Sequence, residues 1–429
     1  MTEAVKIKNT TMQAAFADSS DRSPAPAVIS PMDEHMGLDI ARSLGRRGVP
    51  VYGMDADPRA PGGKSKYVHL LRCPDPHRDE EKFVDFLVAW GKESGVKAVL
   101  FPVSDEVALL CSRERERLSP YYAFVMPDHE TLVSLSTKAG LGRVADSLGV
   151  PAPKTFFLDD EQSLAEVARQ VEYPVLLKPV ESHFWHRPEI AAQLLGQFVD
   201  GRAKVAVCSD PVILERTYRG IARYDARMVV QELIPGPDEN LTYISFYLNR
   251  ESEPLALFAG RKLRVIPLGF GSASYVRSFH DPGLVEVALR LLRGAQYQGL
   301  GGLEFKKDSR DGRYKLIEFN TRFGMWDGLG VRCGVDTPYI AYCDALGRRS
   351  EPVFNYREGV IWWDWQRDVR AFWMLRKRKQ LTLKEWLGSL RGEKMWAIYS
   401  LDDWLPGFAF TWSLVRILSE RAWGRLTGR

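Results

Sequence analysis

The chain has 429 residues, a net charge of +4 and a charged fraction of 27%. These values are ordinary for a soluble globular protein, and the charge is too small to indicate nucleic-acid binding. The five cysteines form no CxxC pair or other zinc-type spacing, so we predict free thiols in a reducing compartment. No apolar run reaches the roughly 18 residues that a membrane span requires, and the length allows about two to four domains.

The N-terminal part of the chain predicts a small parallel α/β domain over residues 27–130, preceded by a disordered polar tail over 1–26. Strand-like and helix-like segments alternate in it, as they do in a parallel sheet covered by helices. The predicted segments are the strands Ala27–Ser30, Val49–Asp55 and Ala98–Val103 and the helices Gly37–Arg46 and Lys82–Gly95. No Gly-x-Gly-x-x-Gly loop follows the first strand, so we assign no dinucleotide to this domain.

Mixed helices and antiparallel strands over residues 138–345 predict α+β lobes, with boundaries at 131–235 and 236–349. Thr137 is the predicted cap of a helix that begins at Lys138, and Asp159 or Asp160 is the predicted cap of the next one. The helices in this part are Lys138–Leu148, Glu161–Val171 and Pro282–Gln296, and the strands are Tyr173–Val180, Arg227–Leu233, Leu241–Leu248 and Leu255–Val265.

Lys178 stands in an otherwise apolar strand, Val175–Pro179, where a charged side chain needs a partner or a place at the strand end. It is either a strand-end lysine that reaches solvent or a cation for phosphate oxygens. Further along, residues 229–238 (VVQELIPGPD) form a strand that runs into a turn. Backbone groups freed at such a strand exit can read the edge of an adenine, although most segments of this kind are only a strand and a turn.

The most informative feature is a pair of acidic strands. Glu304 and Glu318 lie on either side of the turn sequence Asp308–Gly312, which predicts a hairpin with the two carboxylates side by side. Because strand side chains alternate between faces, Asn320 and Arg322 share the face of Glu318. Two unpaired carboxylates would repel each other, and this set suits Mg2+ holding a polyphosphate. The alternative is exposed carboxylates on an ordinary sheet face.

Cations flank a glycine-containing segment in the second lobe. The run Arg261–Arg264 precedes Gly269–Ser274, an arrangement that fits either an anionic substrate or a solvated strand face. Asp105 and Glu106, at a strand end in the first domain, are further candidates for substrate specificity.

The composition changes after residue 350, and we treat 350–429 as a separate Trp-rich, basic extension. Nine of the twelve tryptophans lie there, as does the basic run Arg376–Lys379. Tryptophan together with arginine or lysine favours a bilayer interface, so one interpretation is peripheral membrane contact or a lipid-linked substrate. The other is that the rings pack this segment onto the rest of the protein or onto another subunit.

In their order, the Lys-Pro strand, the segment QELIPG and the acidic hairpin resemble the ATP-grasp superfamily of carboxylate–amine ligases. The likeness is greatest to its D-aspartate-ligase-like and carbamoyl-phosphate-synthase-like branch, and it covers roughly residues 27–345. The resemblance implies α/β and α+β parts, namely an ATP-grasp fold behind a Rossmann-like pre-ATP-grasp domain. It also implies ATP and a pair of Mg2+ ions, which Mn2+ can replace, as cofactors.

The resemblance also implies a nucleotide site. Lys138 and Lys178 would approach the phosphates, and Gln231 would take the adenine amino group. The residues implied for the adenine ring edge and the ribose are Glu232 and Ile234, through their backbones, and Asp238, or Glu239 in its place.

At the phosphate end, Glu304, Glu318 and Asn320 match the metal ligands of the family. Arg322 matches the arginine that steadies the transferring phosphoryl group, and Lys178 and Arg264 would add positive charge. One segment departs from the family pattern, because residues 180–188 (VESHFWHRP) are bulky where the family has glycine and small residues. His183, His186 or Arg187 is then expected to contact the nucleotide, or the loop to serve as a longer lid.

The resemblance implies an enzyme that joins a carboxylate to an amine through an acyl phosphate and releases ADP and phosphate. Two alternatives stay open: a nucleotide-binding regulatory subunit without catalysis, and an enzyme with a hydroxyl acceptor that forms an ester. We expect small-molecule substrates, no nucleic acid and a cytoplasmic location, with membrane association only through 350–429. A homodimer is left open.

Overall fold

The computed structural model describes residues 24–32, 35–180, 190 and 205–427, which form two compact units. The first unit contains the described residues up to 125, together with 338–350 and those from 398 onward. The second contains the described residues of 126–337 and 351–397. Within these described ranges, no helix is both long and apolar enough to cross a membrane.

The first unit is built on a parallel five-stranded sheet. Its elements are β1 (Ala27–Ser30), α1 (Met36–Gly45), β2 (Val51–Asp55), β3 (Val68–Arg72), α2 (Glu80–Ser94), β4 (Ala98–Pro102), α3 (Asp105–Arg113), α4 (Arg115–Leu118) and β5 (Tyr122–Ala123). The strand order is β3-β2-β1-β4-β5, and each neighbouring pair is parallel. This is the order of a doubly wound α/β sheet, which confirms the predicted α/β class of this part.

Side-chain caps set the helix starts in this unit. Asp79 accepts a hydrogen bond from the Lys82 amide at the start of α2, and Ser104 accepts one from Val107 at the start of α3. Each cap satisfies an amide that has no partner within its helix. Asp105 and Glu106 occupy the first turn of α3, where the helix dipole favours negative charge; their role in specificity stays a prediction.

The second unit begins with an antiparallel four-stranded sheet in the order β6-β9-β7-β8. Its elements are α5 (His129–Ser136), α6 (Lys138–Ser147), β6 (Thr155–Leu158), α7 (Glu161–Gln170), β7 (Val175–Pro179), β8 (Ala206–Cys208), α8 (Pro211–Ala222) and β9 (Met228–Glu232). Thr137 and Asp160 cap α6 and α7, as the sequence predicts. Strands β6 and β8 and helices α5 and α8 are additions to the predicted elements.

A seven-stranded sheet in the order β14-β13-β10-β11-β12-β15-β16 completes the second unit. The strands are β10 (Leu241–Leu248), β11 (Pro254–Ile266), β12 (Ser272–Ser278), β13 (Gly299–Lys307), β14 (Tyr314–Asn320), β15 (Ile361–Trp363) and β16 (Lys394–Trp396). Further helices among the described residues, in chain order and across both units, are α9 (Pro282–Gly294), α10 (Gly328–Cys333), α11 (Thr337–Ala345), α12 (Trp365–Lys377), α13 (Leu383–Ser389) and α14 (Leu405–Thr427). Neighbouring strands are antiparallel except for β15 and β16.

Alternation along β13 and β14 separates a core face from a polar face. Leu303, Phe305 and Phe319 are at most 4% exposed and belong to the core that α6 and α9 help to form. Because neighbouring residues of a strand point to opposite faces, Glu304 and Glu318 lie on the other side of the sheet. The core therefore holds the hairpin in the orientation that presents both carboxylates away from it.

The Trp-rich residues 350–429 do not form a separate extension, which corrects the predicted domain organisation. Strand β15 pairs with β12, and β16 pairs with β15, so part of this segment extends the seven-stranded sheet and Trp362 is fully buried. From residue 398 onward the chain belongs to the first unit, where Arg42 and Asp403 form a buried ion pair at 2.9 Å. Trp404 and Trp412 stay 61% and 65% exposed, so packing accounts for only some of the tryptophans.

Asp368 on α12 ties the added segment to the sheet. Its carboxylate is fully buried and accepts hydrogen bonds from Nε and Nη2 of Arg264 at 2.6 and 3.0 Å. The indole N–H groups of Trp363 and Trp386 donate to the same carboxylate, both at 2.9 Å. These donors satisfy a buried charge that would be costly without partners.

We expect Asp368→Ala to lower the free energy of unfolding by about 3–5 kcal/mol, because Arg264 would stay buried without its counter-charge. Urea denaturation followed by tryptophan fluorescence measures the loss. The control is Glu286→Ala on α9, which removes an exposed ion pair with Arg290 and should cost less than about 0.5 kcal/mol. Equal losses in the two variants would contradict the structural role of the Asp368 network.

Candidate active site

One cavity of the second unit brings together most of the predicted site residues. Its volume is about 470 Å3, and it is bounded by the start of α6, the ends of β7 and β9 and the polar side of β13 and β14. The predicted residues that line it are Lys138, Lys178, Gln231, Glu232, Ile234, Glu304 and Glu318. These residues are far apart in the sequence, so their convergence is a property of the fold.

The two predicted metal-binding carboxylates lie directly opposite each other. Glu304 on β13 pairs with Glu318 on β14, as the position of the predicted turn implies. The next pair along β13 is Phe305 with Leu316, so a bulge follows the acidic pair. Asn320 lies opposite Gly302, two residues beyond Glu318 and thus on the same face.

The turn of this hairpin is held by a buried carboxylate. Asp308 is 1% exposed, and it accepts hydrogen bonds from Arg310 and pairs with Lys315 at 2.9 Å. These partners, Arg310 first, hold the pKa of Asp308 well below its usual range. Gly312 adopts a φ of +72° in the same turn, a conformation that glycine tolerates best. The local sequence thereby fixes the register of Glu304 against Glu318.

Two lysines face the acidic pair from the other side of the cavity. Lys178 donates a hydrogen bond from Nζ to Oε1 of Gln231 at 2.7 Å. Burial, together with the charge of Lys138, lowers the pKa of Lys178 to about 8 despite the opposing carboxylates. Lys138 donates to the Pro179 carbonyl at 3.3 Å, and burial lowers its pKa too, although Glu318 counteracts it. Such desolvated cations are costly until an anion joins them.

A third lysine contacts the acidic pair itself. Nζ of Lys262 lies 2.5 Å from Oε2 of Glu304, and both side chains are largely buried. The sequence places Lys262 within the run Arg261–Arg264 but does not distinguish it from its neighbours. In the fold, the alternation of side chains along the strand distinguishes Lys262 from Arg261: Arg261 lies over the ring of Phe279, while Lys262 lines the cavity.

Arg264, Asp238 and Glu239 line a second cavity of about 560 Å3, which shares Gly269 and Phe270 with the first. The Arg264 guanidinium is bound by Asp368, so the structure does not bring it to the acidic pair; this corrects its predicted position. Asp238 accepts a hydrogen bond from the Gly269 amide at 3.3 Å, and burial raises the pKa of its carboxyl. Its contact with a ribose stays a prediction.

The predicted adenine-reading residues have partners within the protein. Gln231 accepts from Lys178 and donates to Thr155, and its oxygen and its NH2 group can each make one further hydrogen bond, so its contact with an adenine stays a prediction. The backbone amide of Glu232 donates to the Lys154 carbonyl at 2.8 Å, and its carboxylate contacts Lys315 at 3.2 Å. Glu232 therefore anchors the hairpin turn, a role that the sequence did not indicate.

Arg322 follows β14, and its Nη1 donates to the Phe323 carbonyl at 3.3 Å. The structure places Asn320 and Arg322 at the end of the hairpin, beside the residues that line the cavity.

Tyr243 on β10 lies opposite Glu304 and was not among the predicted site residues. Burial, followed by the charge of Asp327, raises the pKa of its phenol well above the ordinary value. The predicted contacts of His183, His186 and Arg187 lie outside the described residues.

The donor set fits a magnesium ion that also binds phosphate. In the described part of the chain, no three His, Cys, Asp or Glu side chains gather as a ready-made metal cluster. A metal here would be held by Glu304, Glu318 and the amide oxygen of Asn320, with phosphate oxygens and water completing the shell. Mg2+ is usually bound in this way, through few carboxylates and a polyphosphate.

Comparison with known proteins agrees with this geometry. No family model matches the chain. Its sequence is 27% identical over 282 residues to D-aspartate ligase of Enterococcus faecium, an alignment that covers 63% of this chain and 64% of that ligase. The chain thus spans less than two thirds of the length of this relative.

Solved structures share the fold. The L-amino acid ligase of Bacillus licheniformis superimposes with a TM-score of 0.56 at 17% identity, over 77% of this chain and 76% of that one. The biotin carboxylase domain of Hydrogenobacter thermophilus 2-oxoglutarate carboxylase, crystallised with MgADP, ADP and bicarbonate, gives 0.58 at 16% identity, over 79% and 73%. The chain has an ATP-grasp fold. The ATP-grasp resemblance predicted from the Lys-Pro strand and the acidic hairpin is therefore confirmed.

For this cavity, we expect ATP binding to weaken as the pH rises through about 8. The pKa of Lys178 is about 8, and only its charged form attracts phosphate. Below that pH the ammonium is present. Above it, binding must first take up a proton, so affinity should fall by up to about tenfold per pH unit. Isothermal titration calorimetry between pH 7 and 9.5 measures this.

Titrations at pH 8.5 in two buffers of different ionisation enthalpy count the protons taken up. Lys178→Arg is the matched control, because its guanidinium stays charged over this range and should remove the part of the pH dependence that Lys178 causes. Lys138, Glu304 and Glu318 face the same ammonium and remain in both proteins. A wild-type affinity that is constant from pH 7 to 9.5 would contradict the assignment.

Proposed function

We propose that this protein is an ATP-dependent ligase that joins a carboxylate to an amine through an acyl phosphate. The observation that carries the proposal is the pair Glu304 and Glu318 in register, which faces the half-buried lysines Lys138 and Lys178 across one cavity. Two acids and two cations in this arrangement suit a metal–polyphosphate complex, in which the metal meets the acids and the phosphates meet the lysines.

Glu304, Glu318 and Asn320 would hold Mg2+, which supplies Lewis-acid stabilisation of phosphate oxygens when bound. Lys262 lies 2.5 Å from Glu304 and neutralises its charge, which reduces the repulsion between Glu304 and Glu318 when no metal is present. Lys138 and Lys178 would offset the charge on the triphosphate. Arg322, at the end of the hairpin, would meet the transferring phosphoryl group. Preorganised charges of this kind usually supply the largest catalytic contribution.

The reaction needs no side-chain nucleophile. An oxygen of the carboxylate substrate attacks the γ-phosphorus of ATP, and the bond to the β-phosphate oxygen breaks to release ADP. The amine nitrogen then attacks the acyl carbon, and the bond from that carbon to the phosphate oxygen breaks. Phosphate leaves, and the surplus proton of the amine passes to solvent. The chain's residues bind and orient the reactants and stabilise charge in both steps.

The substrates we propose are amino acids or small carboxylates and amines. This follows from the named activities of the relatives, a D-aspartate ligase and an L-amino acid ligase, which both act on amino acids. A cytoplasmic location and a homodimer stay predictions.

We expect Glu318→Gln to lower kcat by about 100-fold or more, because it removes one of the charges that hold the metal at the transferring phosphate. The assay measures ADP release from MgATP with a panel of D- and L-amino acids, with hydroxylamine added to trap the acyl phosphate as a hydroxamate. Glu286→Gln, an isosteric change on the exposed face of α9, is the control and should behave as wild type.

Turnover in Glu318→Gln equal to that of wild type would contradict the metal assignment. Tight MgATP binding without ADP release across the whole panel would instead favour a regulatory subunit without catalysis. ADP release with a hydroxyl acceptor in place of the amine would indicate ester formation.

A further inference from the structure

The hydroxyl of Tyr243 has no assigned role. The residue is 4% exposed, and within the described ranges its hydroxyl is buried without a hydrogen-bond partner. A buried hydroxyl loses its bonds to water on folding, so leaving it unpaired is unfavourable. Such a group either tolerates this cost for packing reasons or awaits a partner that another state of the protein supplies.

The place of Tyr243 in the sheet is specific. On β10 it lies opposite Glu304, and Glu304 lies opposite Glu318, so the three residues form a row across three neighbouring strands. Residues paired in this way share one face of a sheet. Tyr243 therefore belongs to the polar face on which the metal ligands stand.

The phenol extends along this face into a space that glycine leaves open. A Cβ atom added to Gly302 would lie 1.7 Å from the Tyr243 hydroxyl oxygen, and one added to Gly324 would lie 2.4 Å from it. Gly302 is the residue directly opposite Asn320. The hydroxyl thus fills the position that a side chain at 302 would take, and this position is the cross-strand neighbour of Asn320, where opposing side chains contact each other.

The ring does not need its hydroxyl to stay in place. It packs on Trp326 with the ring centroids 4.8 Å apart. Trp326 in turn fits over Gly260, where an added Cβ would come within 2.4 Å of the indole ring. Because these apolar contacts fix the ring, the hydroxyl is held at one point beside the hairpin end.

We propose that the Tyr243 hydroxyl positions Asn320 as a metal ligand, by accepting a hydrogen bond from the Asn320 amide nitrogen. An asparagine can bind a metal only through its oxygen, so a fixed acceptor on the nitrogen side selects the correct orientation of the amide. Groups of this kind, which orient a ligand without touching the metal, commonly change metal affinity by about 10- to 100-fold. Tyr243 is thus a positioning residue, and this inference rests on the proposed function of Asn320.

The test compares Tyr243→Phe with wild type in two measurements. One is the affinity for Mn2+ in the presence of ADP, read from the electron paramagnetic resonance signal of free Mn2+. The other is the thermal unfolding temperature without metal. We expect Mn2+ affinity to fall by about tenfold, while the unfolding temperature stays the same or rises because an unpaired buried hydroxyl is removed.

The matched control is Tyr218→Phe. The Tyr218 hydroxyl on α8 is likewise buried without a partner within the described ranges, but it packs in the core of the four-stranded sheet. Its removal should leave Mn2+ affinity unchanged. In an Asn320→Ala background, Tyr243→Phe should have no further effect on Mn2+ affinity, because the residue through which it acts is gone.

Unchanged Mn2+ affinity in Tyr243→Phe would overturn the inference, and a lower unfolding temperature beside it would assign the hydroxyl a structural role. A loss of affinity that persists in the Asn320→Ala background would overturn it too, because Tyr243 would then act by another route. If wild type binds no Mn2+ with ADP, the proposed function fails, and the inference fails with it.

Discussion

The pairing of β13 with β14 is the constraint on which the candidate site depends. Leu303, Phe305 and Phe319 face the core, so a slip by one residue would turn them to the polar side and bury the carboxylates instead. Burying two adjacent charges would cost far more than the slip could recover. The same apolar side chains that stabilise the fold therefore also set Glu304 against Glu318.

The site is electrostatically incomplete without a ligand. Lys178 and Lys138 are desolvated, with lowered pKa values, and in the acidic pair Lys262 forms an ion pair with Glu304. Each group carries a cost in the free protein that a metal and a polyphosphate would remove together. Binding of a metal and a polyphosphate would therefore also stabilise the folded state of the residues that line the cavity.

Much of the fold could be predicted from the sequence, because its signals are local. Alternating strands and helices, the caps Thr137 and Asp160, and the turn at Asp308–Gly312 each act within a few residues. The acidic hairpin could be predicted for the same reason, since its register follows from the position of one turn. The location of Arg264 could not be predicted in this way, because it depends on an ion pair with Asp368, which lies 104 residues away in the chain.

By itself, the sequence determined the ATP-grasp resemblance, the order of elements and the face that Glu304, Glu318 and Asn320 share, since side-chain alternation and turn chemistry are local properties. Only the tertiary structure decided which cations belong to the site. In it, Lys262 forms an ion pair with Glu304, Arg264 forms one with Asp368, and β15 pairs with the sheet. It also set the Tyr243 hydroxyl beside Gly302. These outcomes depend on pairing between distant strands, where burial and charge neutralisation select partners that spacing along the chain does not specify.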